Sequence, residues 1–162
     1  MKNHTDKKTY RRLYRLFDGV TPLKQDCGAL CGKACCGGDA ADGMLLFPRE
    51  ETALQVRENG GRRFALCPGV CDRAGRPLAC RIFPLFPVPD EKGRVRVVND
   101  LRGARLCPLV RQYENVRFSP RFRRRVRKAG RILSRDPDCR AFLREVGEEL
   151  AELEALHTAI KR

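Results

Sequence analysis

At 162 residues, with 42% apolar and 33% charged side chains and no tryptophan, the chain has room for one hydrophobic core and little for a second. Its polar start lacks the apolar segment of a secretory signal, and no apolar run approaches the roughly 18 residues of a membrane span, so the expectation is a cytoplasmic protein with no membrane contact. A formal net charge of +14 points to an anionic partner, nucleic acid foremost, while nine cysteines in a reducing compartment read as metal ligands before disulfides or a redox pair.

Residues 6–17 set Tyr10, Leu13, Tyr14 and Phe17 at i, i+3, i+4 and i+7 among Lys7, Lys8, Arg11, Arg12 and Arg15, the period of an amphipathic helix. Asp18-Gly19 ends it, and Thr21-Pro22 leads into Cys27, Cys31, Cys35 and Cys36. Spacing by four would align sulfurs along a helix, but Gly28, Gly32, Gly37 and Gly38 favour tight turns whose open backbone lets thiols converge. Adjacent side chains diverge by about 100° on a helix, so Cys35 and Cys36 suit two neighbouring sites. An irregular loop could still bring both to one cluster.

Residues 44–48 are apolar, and 49–59 have helical composition up to a Gly60-Gly61 stop, with Leu54 expected against the core. Phe64-Ala65-Leu66 delivers Cys67-Pro68-Gly69-Val70-Cys71, which has the look of a metal-binding knuckle. Cys80 follows between Arg76 and Arg81, which either favour its thiolate or lie on the surface. The run 82–88, broken by Pro84 and Pro87, allows only an edge or irregular strand; a turn at 90–93 and alternation over 94–98 complete a hairpin that leads to Cys107.

Ser119-Pro120 opens a helix with Phe122, Val126, Ala129 and Leu133 on one side and Arg121, Arg123, Arg124, Arg125, Arg127, Lys128 and Arg131 on the other. Asp136-Pro137 opens a second, with Leu143, Val146, Leu150, Leu153 and Ile160 on its apolar line and Glu145, Glu148, Glu149, Glu152 and Glu154 around it. Together they predict an antiparallel αα-hairpin of complementary charge, so the arginines are either matched internally or free for an anionic partner. Cys139 reads as a buried small residue, His157 as a packed structural histidine, and His4 as part of a loose end.

Eight cysteines, at 27, 31, 35, 36, 67, 71, 80 and 107, would fill two four-thiolate sites, and both zinc and a [4Fe–4S] cluster accept four thiolates. On two zinc ions these thiolates would lower the formal charge to about +10. A division that assigns Cys35 and Cys36 to different sites puts Cys27, Cys31, Cys35 and Cys80 at one and Cys36, Cys67, Cys71 and Cys107 at the other. There is no Cys-x-x-Cys pair, phosphate-binding loop, dinucleotide fingerprint or metalloprotease helix.

The cysteine segment ending in Cys35-Cys36, followed by Arg76-Pro77-Leu78-Ala79-Cys80-Arg81-Ile82-Phe83-Pro84, resembles the YkgJ-type family of zinc- or iron-chelating proteins. Over residues 25–110 the resemblance implies Cys27, Cys31, Cys35, Cys36, Cys71 and Cys80 as ligands, accompanied by Arg76, Pro77 and Pro84, with Cys67 and Cys107 as additional ones. The gaps of three residues in the first segment, where the family has two, and the lack of an aromatic after Cys71 depart from its pattern. A similar domain occurs within flagellin lysine methylases, although nothing else here looks like the rest of such an enzyme.

The resulting expectation is one mainly helical α+β domain. It has an N-terminal helix and linker over 1–24, an irregular Cys-rich metal-binding core with one small β-hairpin over 25–110, and a helical hairpin over 111–162. Its function is metal binding, by zinc or an iron–sulfur cluster. The alternatives are a zinc-stabilised nucleic-acid-binding module using helix 120–133, and an iron–sulfur redox or methyl-transfer-related component. Whether it is an enzyme is left open.

Overall fold

Asp6 opens helix α1 (Lys7–Arg15) by accepting the Thr9 backbone N–H at 2.8 Å, which satisfies one of the donors a helix start leaves unpaired. The helix buries Tyr10 and Leu13 and leaves its lysines and arginines exposed, as the apolar period predicts. This computed structural model describes residues 4–36, 43–70 and 72–161, and of Cys36 only the backbone.

Two short helical pieces follow, α2 (Cys27–Cys31) and a 3-10 turn at Ala34–Cys36. Strands β1 (Gly43–Leu45), β2 (Val56–Asn59) and β3 (Arg62–Leu66) then form an antiparallel sheet in the order β1-β3-β2. This corrects the expected helix over 49–59. Asn59 pairs with Arg62, so Gly60 and Gly61 are a two-residue hairpin loop, and both take the positive φ (59° and 75°) that such a turn demands. All four residues of β2 are exposed, and Leu54 before it is only half-buried, so the segment has no apolar alternation to announce a strand. The expectation of a single small hairpin is corrected with it: the described residues hold two sheets.

Helix α3 (Leu78–Ile82) leads into the second sheet, β4 (Leu85–Pro89) paired antiparallel with β5 (Val95–Asn99), with Pro87 opposite Val97. The hairpin lies where the sequence puts it. In a two-stranded ladder either strand is an edge, so β4 tolerates prolines that lack a donor, yet every one of its residues is buried.

The cover comes from α5 (Pro120–Leu133) and α6 (Pro137–Ile160), which start at their Ser119 and Asp136 caps as predicted. Both pack on β4 and approach it closely. A Cβ at Gly130 would stand 2.5 Å from Pro87 Cβ, and one at Gly147 2.5 Å from Val88 Cγ1. Phe122, Val126, Ala129, Leu133, Leu143 and Val146 are fully buried there, whereas Ile160, expected on the same apolar line, is 85% exposed because α6 runs on past the core.

With β4 between them, α5 and α6 form no ion pair with each other among the described residues. Glu145 and Glu149 instead take Arg62 of β3. The expected charge match between the two helices is therefore not the one made. Among the described residues no helix is long and apolar enough to cross a membrane. The architecture is mixed α+β, roughly half helical.

Candidate metal centre

The first two thiols are set by α2. The Asp26 side chain accepts the Gly28 N–H at 3.1 Å, and Gly32 ends the helix in the left-handed region at φ 62°. Four residues on one helix separate Cys27 from Cys31, so the two project from successive turns of the same face. Cys35 follows in the 3-10 turn.

Cys80 arrives on α3, whose position depends on a buried acid. Glu50 is fully buried; its Oε1 accepts the Leu78 N–H at 2.7 Å and the Tyr14 hydroxyl at 2.7 Å, and its Oε2 accepts the Phe47 N–H at 3.0 Å. Burial pushes the Glu50 carboxyl up while these donors and the nearby Arg81 charge pull it down, with a net rise. Arg81, on the same helix turn as Cys80, is nearly buried: its guanidinium lies 4.5 Å from the centre of the Tyr14 ring and donates to the carbonyls of Arg76 and Ala74, each at 2.8 Å. It is therefore a staple of the 74–81 segment and no loose surface arginine. Cys107, also buried, sits at the start of α4 (Pro108–Arg111).

These pieces line a cavity of about 600 Å³, open to solvent, with Cys27, Cys31, Cys35, Cys80 and Cys107 in its wall. Arg73, Arg76 and Arg81 stand at its wall with Asp26, which lies 3.4 Å from Arg73. Burial pushes the Cys27 thiol up, and the thiols of Cys31 and Cys107 push it further. Burial likewise raises Cys107; the N–H groups of Val110 and Leu109 oppose this, and Cys31 adds to it. The three sulfurs are thus near enough to disfavour one another as thiolates, an arrangement that a cation would relieve. In donor chemistry the set fits a thiolate-ligated metal. In spacing it is open: among the described residues no three thiol sulfurs lie within 4.8 Å of one another.

Cys107 shares this cavity with Cys27 and Cys31, whereas the expected division grouped it with Cys36, Cys67 and Cys71. Cys67, half-buried after β3, does not line the cavity. Cys71 and the Cys36 side chain, both expected ligands, lie outside the described residues. Cys27, Cys31, Cys67, Cys107 and Cys139 carry free thiols.

Cys139 is fully buried as expected, but in polar company: its Sγ donates to Thr5 Oγ1 at 3.5 Å and lies 4.0 Å from the Tyr10 hydroxyl. His157 packs its ring 5.7 Å from that of Tyr113, a structural position.

One group of described residues, His4, Asp136 and Asp138, does bring three metal-ligand atoms within 4.8 Å. Arg49 already serves it, with Nη1 donating to Asp138 at 2.6 Å and Nη2 to Asp136. Burial pushes Asp136 up, but the Thr5 N–H and the Arg49 guanidinium overcome it and hold the carboxyl well below the usual range. A guanidinium supplies there the positive charge that a metal would bring. Sequence reasoning missed both this pair and Glu50. Apart from the Phe47 N–H beside Glu50 and the α6 N–H groups that Asp136 caps, their partners come from segments 28 to 131 residues away, and the local signal is Asp136-Pro137 as a helix start.

Comparison with family models, with curated proteins and with solved structures returned no match to this chain.

Proposed function

We propose that the protein is a cysteine-ligated metal-binding protein of the reducing cytoplasm, with its centre at the thiol-lined cavity. The observation that carries this reading is the convergence of Cys27, Cys31, Cys35, Cys80 and Cys107, from distant parts of the chain, on one open cavity. Thiols brought together by chance have no reason to be drawn from helix starts and turns separated by up to 80 residues of sequence. The motif resemblance to the YkgJ-type family adds weight, since the same cysteines carry it.

Cys27, Cys31, Cys80 and Cys107 are the preferred first set of ligands, with Cys35 as the link to a second set made of Cys36, Cys67 and Cys71. Zinc would supply fold stabilisation, and a [4Fe–4S] cluster would supply one-electron chemistry. The chain's own contribution is to orient sulfurs on α2 and α3, to hold α3 through Glu50, and to offset thiolate charge with Arg76 and Arg81.

The test is reconstitution of the anaerobically purified protein with zinc, or with iron and sulfide, followed by metal and sulfide analysis and a visible spectrum. Retained zinc without colour assigns a zinc protein; iron with sulfide and a reductant-bleached brown band assigns a cluster. If neither metal survives desalting, the reading fails.

A further inference from the structure

The solvent side of α5 carries Arg121, Arg124, Lys128 and Arg131, spaced by three, four and three residues, all exposed and opposite the buried Phe122, Val126, Ala129 and Leu133. Arg135, exposed just past the helix, prolongs the row by four. At 1.5 Å per residue the four helical positions extend over about 15 Å. Arg123, Arg125 and Arg127 flank them, half-exposed. None of the seven basic side chains of α5 forms an ion pair or a side-chain hydrogen bond among the described residues, and Glu145 and Glu149 of α6 are held by Arg62.

The same holds for exposed Lys8, Arg11, Arg12 and Arg15 of α1. The segment just past that helix meets the start of α5 through Phe17 and Phe122, with ring centres 5.9 Å apart, and through the Ser119 N–H donated to the Pro22 carbonyl at 2.7 Å. Unmatched like charge on two helices linked in this way costs stability through repulsion, and an external polyanion would remove that cost.

From this we infer that α5, extended by α1, is a docking surface for the phosphate backbone of a nucleic-acid duplex, read by charge and without base sequence. Three features select this occupant. Guanidinium forks match phosphate oxygens two at a time, and six of the seven basic residues on α5 are arginine. Among the described residues the exposed large apolar side chains are Leu30, Val56, Val70, Leu156 and Ile160, none of them on α5 or α1, so the face has no wedge to enter a lipid surface. It also presents no exposed aromatic on which unpaired bases would stack. The close seat of Gly130 on Pro87 fixes α5 to the sheet, which makes the row of charges a rigid one. This surface does not depend on the metal centre.

The test uses the full chain with a fluorescently labelled 24-base-pair duplex and its single strand, by anisotropy at 50–200 mM salt. Duplex binding should weaken with a log–log salt slope of about −3.6 or steeper, corresponding to about four phosphates neutralised, and so by on the order of 100-fold across that range. The combined variant R121Q/R124Q/K128Q/R131Q should lose at least tenfold in affinity at 50 mM salt and flatten the slope by about 3. A control of equal charge change on other exposed positions, R57Q/K92Q/R96Q/R140Q, should lose less than threefold, and thermal melts should show both variants folded as the parent. No duplex binding at 50 mM salt, equal losses in the two variants, or binding to phosphatidylserine vesicles but not to duplex would each overturn the inference.

Discussion

Glu50 Oε1 accepts the backbone N–H of Leu78 at 2.7 Å, so a fully buried carboxylate closes the start of the short helix that carries Cys80. Helix α3 spans only five residues and has no side-chain cap from its own N-terminal neighbour, Pro77. Glu50 takes that role from a distance and also joins α1, through Tyr14, to the loop at Phe47. A residue that belongs to no recognisable motif thereby positions part of the candidate centre.

Replacing Glu50 should show how much that junction is worth. Glu50→Ala leaves two buried N–H donors and the half-buried Tyr14 hydroxyl without an acceptor and is expected to cost roughly 3 kcal/mol in urea unfolding, given about 1–3 kcal/mol for each unsatisfied buried group. Glu50→Gln keeps the Oε1 acceptor and should cost less. The folded carboxyl titrates above its ordinary value, so its protonated form favours the fold and this contribution is lost as pH rises through the folded value. Stability of Glu50→Gln should therefore lack the decline that the parent shows as pH rises above the ordinary carboxyl range. An unchanged pH profile would show that Glu50 does not titrate in that window.

The Asp136–Arg49 pair predicts the opposite slope. Asp136 is buried, caps α6 and titrates below its ordinary value when folded. Its contribution is present above the unfolded carboxyl value, near 3.9, and is lost as pH falls through the lower folded value. Asp136→Asn should destabilise the protein by roughly 1.5–3 kcal/mol at pH 7, and the difference from the parent should shrink below about pH 4. Urea midpoints measured from pH 7 down to pH 3 would check both statements.

Gly130 and Gly147 should resist alanine. In a helix interior the exchange ordinarily gains up to about 1 kcal/mol, but here each Cβ would meet Pro87 or Val88 at 2.5 Å. Overpacking of this kind costs about 1–3 kcal/mol, so both single variants should melt at lower temperature than the parent. A rise in melting temperature for either would mean that the helix stands further from β4 than 2.5 Å implies.

What the sequence disclosed follows a physical division. Helices α1, α5 and α6 were legible because their apolar period and their caps, Ser119 and Asp136, are local. The β4–β5 hairpin was legible from alternation in Arg94–Val98 and the turn before it. Strand β2 was not, because Val56–Asn59 is exposed on every residue and rich in helix formers, and the same Gly60-Gly61 pair serves equally as a helix stop or a hairpin turn. Cys27, Cys31, Cys35 and Cys80, expected to share one site, do line one cavity. Cys107 departs from the expected grouping, since its place beside Cys27 and Cys31 is set by the path through the β4–β5 hairpin, which no spacing rule encodes. The charge match of α5 with α6 failed for a similar reason: both helices lie against β4, and the acids turn to Arg62 instead.

The central claim, that the thiol cavity holds a metal, is met most directly by X-ray absorption at the metal edge of protein isolated without oxygen. The account predicts a first shell of sulfur only, at about 2.3 Å, that is partly replaced by oxygen or nitrogen in Cys27→Ser and Cys107→Ser and left unchanged in Cys139→Ser. A first shell of nitrogen and oxygen at about 2.0–2.2 Å, as His4, Asp136 and Asp138 would provide, or protein that binds no metal at all, would contradict it.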